Sequence, residues 1–197
     1  MVKILKKAAR KLLSVLGYNR FKPITHKLNT FNQSETSKCR NRLAPFCTGY
    51  GLDLGFGGDP ITNSAIRMDF PQPYTHVGDY PVQLGGKAEE LYWFNNSVLD
   101  YIYSSHLLED FIDTEQVLRE WLRVIKPGGK LIIFCPDEQR FRKHCNETGQ
   151  PYNTAHVHKF FSLNYVLGLL EKINQTKVVY KKDQMDIYSW DLVCEKL

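Results

Sequence analysis

The chain has 197 residues, enough for one compact domain and too few for two ordinary ones. Hydrophobic residues make up 43% and charged residues 24%, a globular balance that excludes a wholly disordered or fibrous chain. The longest uninterrupted apolar run is Leu131–Cys135, far short of the roughly 20 apolar residues a membrane-spanning helix needs. Five widely spaced cysteines, with no CxxC pair and no secretory signal, point to a reducing, cytoplasmic compartment.

The net charge of +5 is unevenly placed. Residues 1–34 carry eight basic side chains and no acid, so the remainder of the chain is net acidic. The basic balance is a property of the N-terminal arm and does not imply a nucleic-acid surface. Within that arm residues 2–16 form a clear amphipathic pattern. Val2, Ile4, Leu5, Ala8, Ala9, Leu12, Leu13, Val15 and Leu16 fall on one half of a helix; Lys3, Lys6, Lys7, Arg10 and Lys11 fall on the other. Such a helix either lies on an anionic membrane surface or packs its apolar face on its own domain. Residues 18–46 read as an irregular connector with room for one short helix. Residues 1–47 therefore divide from a folded body over 48–197.

From residue 49 strands and helices alternate. Tyr50–Leu54, Ala65–Asp69, Pro81–Leu84, Leu99–Tyr103 and Lys130–Phe134 read as strands. Thr114–Ile125 reads as a helix, with Asp113 as its cap and Gln116 completing a capping box. Lys126-Pro127-Gly128-Gly129 stops that helix. Phe161–Ile173 is a further helix, and Lys177–Lys181 with Trp190–Glu195 a closing antiparallel pair. The alternation predicts a mostly parallel sheet covered on both faces, with ligands beyond the carboxyl ends of its strands.

Tyr50–Leu54 runs directly into Gly55-Phe56-Gly57, and an acid, Asp69, ends the next strand. Glycine lets the backbone approach a ligand, and the acid is placed to accept from a ribose diol. Pro60 and Asp59 disfavour a pyrophosphate-binding turn, and only 11 residues separate Gly57 from Asp69, leaving little room for a crossover helix. A nucleoside cofactor without phosphates fits better than a dinucleotide.

These segments resemble a class I S-adenosylmethionine-dependent methyltransferase over roughly residues 48–197. Gly51–Gly57 is similar to the family's Asp-x-Gly-x-Gly motif, and Asp69 to its ribose-binding acid. Gly86–Leu91 resembles the adenine segment, with Lys87 where an acid is common. Ser104–Asp110 resembles the segment after strand four, and Arg119–Leu131 the helix–turn–strand segment. The resemblance implies a Rossmann-like α/β fold: a seven-stranded, mostly parallel sheet with an antiparallel last strand and helices on both faces. It implies S-adenosylmethionine as cofactor, S-adenosylhomocysteine as product, and Asp53, Gly55, Phe56, Gly57, Asp69, Ala88, Glu89 and Ser104 around it. The shortened first crossover and the polar segment from Cys135 to Phe161 resemble small methyltransferases of glycan and surface-polysaccharide pathways. A saccharide hydroxyl is then the expected acceptor.

His106, just after strand four, is the first candidate for the general base that such an O-methylation needs. His156 and His158 are the next candidates, with Asp137 placed to orient one of them or to cap the following helix. In an extended segment His156 and His158 would point the same way and could approach a divalent cation; no fixed second ligand pair accompanies them, so metal binding is disfavoured. A nucleotide-dependent oxidoreductase and a non-catalytic cofactor-binding module at a membrane are the competing readings.

Overall fold

The computed structural model describes residues 34–73 and 76–197. The amphipathic helix expected over residues 2–16 lies outside the described residues.

The first described element is a nine-residue helix, α1 (Glu35–Leu43), inside the segment read as connector. Ser34 caps it by accepting from the Ser37 N–H at 3.0 Å. A 3-10 turn over Ala44–Phe46 leads to strand β1 (Gly51–Leu54). β2 (Ile66–Asp69), β3 (Leu84–Gly85) and β4 (Leu99–Ser105) follow. Helix α2 (Thr114–Val124) runs into the long strand β5 (Ile125–Pro136). Then come α3 (Glu138–Thr148), α4 (Leu163–Ile173), β6 (Thr176–Lys182) and β7 (Ser189–Lys196).

The seven strands form one sheet in the order β3-β2-β1-β4-β5-β7-β6. β7 is antiparallel to both β5 and β6, while the other pairings are parallel. The expected sheet with one reversed strand is thus the observed one. Successive residues of the central strands serve opposite cores, as the pleat requires. Ile102, Leu131, Ile133, Leu192 and Cys194 pack with Leu118, Trp121 and Leu122 of α2 and Val166 and Leu170 of α4. Tyr101, Tyr103, Ile132, Phe134 and Val193 pack on the other face with Cys39 and Leu43 of α1 and with Ile61 and Ala65. Residues 55–65 carry no helix. That first crossover covers its side of the sheet through Ile61 and Ala65, and α1 supplies the rest.

Three expectations are corrected. The strand predicted over Pro81–Leu84 is only Leu84–Gly85, because Pro81 has no N–H to give a ladder and Gln83 instead bonds Arg67 through both its N–H and its side chain. Glu138–Thr148, read as part of a long polar loop, is a helix capped by Asp137 and ended by Gly149 at φ +73°. Its Cys145 is buried, but the segment has too few apolar residues to show a helical stripe. The Lys126–Gly129 stop belongs to β5: the pairing with β4 shifts there, from Leu99 opposite Ile125 to Tyr101 opposite Lys130. All five cysteines are buried free thiols. Among the described residues no helix is long and apolar enough to cross a membrane.

Candidate functional site

The carboxyl ends of β1, β2, β4 and β5 and the start of the reversed β7 share one end of the sheet. The turn after β1 takes left-handed backbone angles at Gly55 (φ +65°) and Gly57 (φ +58°), which glycine accepts without strain. Gly55 N–H donates to Met68 C=O at 2.9 Å, tying the turn to β2. The Asp69 carboxylate at the end of β2 accepts from Gly57 N–H at 3.1 Å and from Phe70 N–H at 2.8 Å. Burial raises the Asp69 pKa, against those two N–H groups and the nearby His76.

Asp53 is fully buried in β1 and accepts from Ile61 N–H at 2.6 Å. Burial pushes its carboxyl well above the usual range. Its other oxygen, Oδ1, has no hydrogen-bond partner, and neither do the buried hydroxyls of Ser104 and Ser105 at the end of β4. A Cβ placed on Gly57 would meet nothing nearer than Gly55 O at 4.0 Å, so the space above the turn is open. Open space over a glycine turn, orphaned polar atoms beside it and an acid at the next strand end suit a neutral-ribose nucleoside bearing an amino acid.

In the segment expected to border adenine, Ala88 is buried and its C=O accepts from Trp121 Nε1–H at 2.8 Å. Lys87 pairs with Glu90 at 2.9 Å on the surface, leaving Glu89 half-buried beside Ala88. Phe56 is buried and meets the His76 ring edge-on at 5.9 Å.

His106 follows β4 at φ +49°, a left-handed angle uncommon for a residue with a Cβ. Its N–H donates to Phe134 C=O at 2.8 Å, holding it at the strand end. Its Nε2 lies 3.2 Å from Ser189 Oγ and 3.3 Å from Glu35 Oε2. Its Nδ1 lies 3.8 Å from Glu109 Oε1. Burial lowers its pKa to about 4, with Glu35 opposing, so the ring is neutral at physiological pH.

His156 and His158 do not point to one place, as an extended segment would require. His156 Nδ1 lies 2.7 Å from Glu138 Oε2, and its Nε2 3.6 Å from Glu109 Oε1. Burial alone would lower its pKa, but the bond to Glu138 and the charges of Glu109 and Glu138 outweigh this and raise it. His158 Nε2 donates to Phe111 C=O at 2.7 Å and lies 3.0 Å from Thr114 Oγ1, pinning its loop to the start of α2. Asp137 accepts from Arg140 N–H at 3.0 Å and caps α3; the carboxylate that orients a histidine is its neighbour Glu138, itself braced by Arg142 at 2.6 Å. Among the described residues no group of three or more His, Cys, Asp or Glu is arranged to hold a metal.

Sequence reasoning missed Glu35 and Ser189 beside His106, and Glu138 beside His156. Glu35 and His106 are 71 residues apart, a separation that leaves no local pattern. Glu138 with Arg142 does carry a signal, an acid four residues before a base on one helix face.

Glu109 is the carboxyl between the two histidines, and Cys135 Sγ–H donates to its Oε2 at 3.3 Å. Burial, reinforced by Asp110, raises its pKa to about 8 against the pull of His156. The folded protein therefore retains a proton that the unfolded chain releases above its ordinary pKa of 4.5, so this group's contribution to stability falls as pH rises from about 4.5 to about 8. Glu109→Gln should lift that penalty. Thermal unfolding is expected to show a rise of a few degrees at pH 8, about 1–2 kcal/mol for a domain of this size, and no rise near pH 4.5.

Residues 52–133 match the family model described as a methyltransferase domain. No curated protein matches significantly. Solved structures share the fold. A Pyrococcus horikoshii protein superposes with a TM-score of 0.64 at 16% identity, covering 86% of this chain and 95% of its own. A SAM-dependent methyltransferase of Archaeoglobus fulgidus gives 0.61 at 15% identity, over 82% of this chain and 92% of its own. One from Aquifex aeolicus gives 0.58 at 13% identity, over 90% and 100%.

Proposed function

We propose that this chain is a class I methyltransferase that uses S-adenosylmethionine to methylate a hydroxyl oxygen of a saccharide, with His106 as the general base; the methyltransferase-domain match and the shared fold support the first part. The cofactor, when bound, supplies an electrophilic methyl group on a sulfonium. The protein's part is to hold the acceptor oxygen in line and to take its proton. Asp69 and the turn from Gly55 to Gly57 hold the ribose and the amino-acid end. Asp53, tied to the crossover through Ile61 N–H, and the buried Phe56 and Ser104 belong to the same pocket. Ala88 and Glu89 border the adenine.

The observation that carries the reading is His106 itself. It is neutral, stands at the end of β4 where the methyl would be presented, and has a carboxylate 3.3 Å from one ring nitrogen. A neutral imidazole takes a proton; His156, whose pKa is raised beside Glu138, tends to hold one. Support for a saccharide comes from the polar and aromatic side chains grouped at the same end. Tyr188 packs against His106, Phe141 and His144, with the Lys38 ammonium 5.8 Å above its ring. Such a group offers an aromatic face to a sugar ring and polar tips to its hydroxyls. The segregated basic face of residues 2–16 supports a peripheral contact with an anionic membrane surface as part of the same reading.

Isothermal titration with S-adenosylmethionine and S-adenosylhomocysteine, with NAD as control, comes first. Micromolar binding of both and silence of NAD are expected. Transfer of labelled methyl to a panel of mono- and oligosaccharides, with and without magnesium, then tests the acceptor. Label in an alkali-stable ether supports the proposal; transfer confined to amines or carboxylates overturns it.

A further inference from the structure

We infer that Glu35, at the head of α1, is a positioning residue: with Ser189 it keeps the proton of His106 on Nε2 and leaves Nδ1 to receive the acceptor's proton. The inference rests on the reading of His106 as the base and adds which atom acts and what sets it.

Glu35 Oε2 is buried, makes no hydrogen bond in the structure and lies 3.3 Å from His106 Nε2, within reach of an N–H there. Its other oxygen accepts from Lys38 Nζ at 2.6 Å. A carboxylate oxygen only accepts, so a ring nitrogen facing it is favoured as N–H. Ser189 Oγ, 3.2 Å from the same nitrogen and buried, can accept as well. With Nε2 protonated, the lone pair of the neutral ring is on Nδ1, 3.8 Å from Glu109 Oε1; burial favours the protonated form of that carboxyl, so it competes for the N–H less than Glu35 does. During transfer the acceptor oxygen bonds the methyl carbon, the carbon–sulfur pair goes to sulfur, and the hydroxyl proton goes to Nδ1. The imidazolium so formed is then countered by Glu35.

Glu35 is held in place by the anchoring of α1. Ser34 bonds the Asp59 carboxylate next to the glycine turn. Arg42 makes two bonds to the buried Asp191 of β7, at 2.9 and 3.2 Å. Cys39 Sγ and Thr36 Oγ1 both meet the Tyr103 hydroxyl, at 3.1 and 3.2 Å. α1 is thus fastened to the first turn, to β4 and to β7. Among the described residues, other charged or titratable groups around His106 include Lys38 of α1, Asp186 and Tyr188 of the loop before β7, Glu109 of the turn after β4, and His156. Glu35 and Ser189 both lie outside residues 52–133, so the site is completed by segments beyond the matched domain.

The test needs no acceptor. Long-range nitrogen–proton correlation spectra of the imidazoles in the full-length protein at pH 7.5 read the tautomer of His106, assigned by its loss in His106→Gln. The wild type is expected to be overwhelmingly Nε2–H. Glu35→Ala should raise the Nδ1–H fraction several-fold, and Glu35→Gln, which retains an accepting oxygen, should restore the wild-type population. A wild-type ring protonated on Nδ1 overturns the inference from the unmodified protein alone. So does an unchanged tautomer in folded Glu35→Ala. Either result leaves the base assignment standing, because that rests on turnover of the His106 variant.

Discussion

His106→Gln is expected to lower the turnover number about 10²- to 10⁴-fold, the range that a positioned general base contributes. Affinity for S-adenosylmethionine should be nearly unchanged, since the proposal gives His106 the acceptor's proton and no part in holding the cofactor. Glutamine matches the ring in length and can still bond Ser189, so a loss of rate would report the missing base rather than a collapsed pocket. The check is initial-rate transfer of labelled methyl to whichever saccharide accepts it, beside calorimetric titration of the cofactor. A rate within about threefold of wild type would remove His106 from the chemistry. The pH dependence follows from the same residue. Only the neutral ring is a base, so the wild-type rate should hold through neutral pH and fall as pH drops toward about 4. The buried ring also couples acid to unfolding. Its folded pKa lies below the ordinary 6.5, so its share of stability is present above 6.5 and is lost as pH falls from there toward about 4. Rates in the acid limb must therefore be read beside an unfolding curve at the same pH.

The parts of the fold that could be read from residues are those whose signals are local. β5 shows as an unbroken apolar run because both its faces are covered. α2 shows because Val117, Leu118, Trp121 and Leu122 recur at helical spacing behind an Asp113 cap, and the observed bond from Gln116 N–H to Asp113 is that cap. The missing first crossover helix shows as Pro60 and a short spacing, and residues 55–65 indeed carry turns. α3 does not show, since much of what it buries is polar. Glu138, exposed by only about 1%, pairs with His156 and Arg142 where a longer apolar face would otherwise announce a helix. The candidate site divides in the same way. Gly55, Gly57 and Asp69 belong to one strand–turn–strand unit and are legible as a group. The surroundings of His106 are assembled from α1, the turn after β4 and the start of β7. No periodicity links Glu35, Glu109 and Ser189, and only the closing of the sheet brings them to one imidazole.

Asp69→Ala is expected to weaken S-adenosylmethionine about 100-fold. The carboxylate already accepts two backbone N–H groups, one on each oxygen, and each oxygen has a second lone pair for a ribose hydroxyl. A hydrogen bond to a charged group is worth about 1.5–3 kcal/mol, so losing two costs about 3 kcal/mol or more, which is about two powers of ten in affinity. S-adenosylhomocysteine carries the same ribose and should weaken by the same factor; a change confined to one of the two would place the effect at the sulfur end instead. Alanine also takes away the partner of Gly57 N–H, so part of the loss could come from a loosened turn. Asp69→Asn separates the two contributions. The amide oxygen can still accept from Gly57 N–H, whereas the charge and half of the accepting capacity are gone, and an intermediate loss of affinity is expected. The wild type supplies an independent check. Burial already raises the Asp69 pKa, and hydroxyl donors favour the ionised form, so cofactor affinity should fall as pH drops and Asp69 protonates. That slope should vanish in Asp69→Ala. Unchanged affinity in a folded Asp69→Ala protein would mean that the ribose is held elsewhere, and the glycine turn would then have to bind its ligand without the acid at the end of β2.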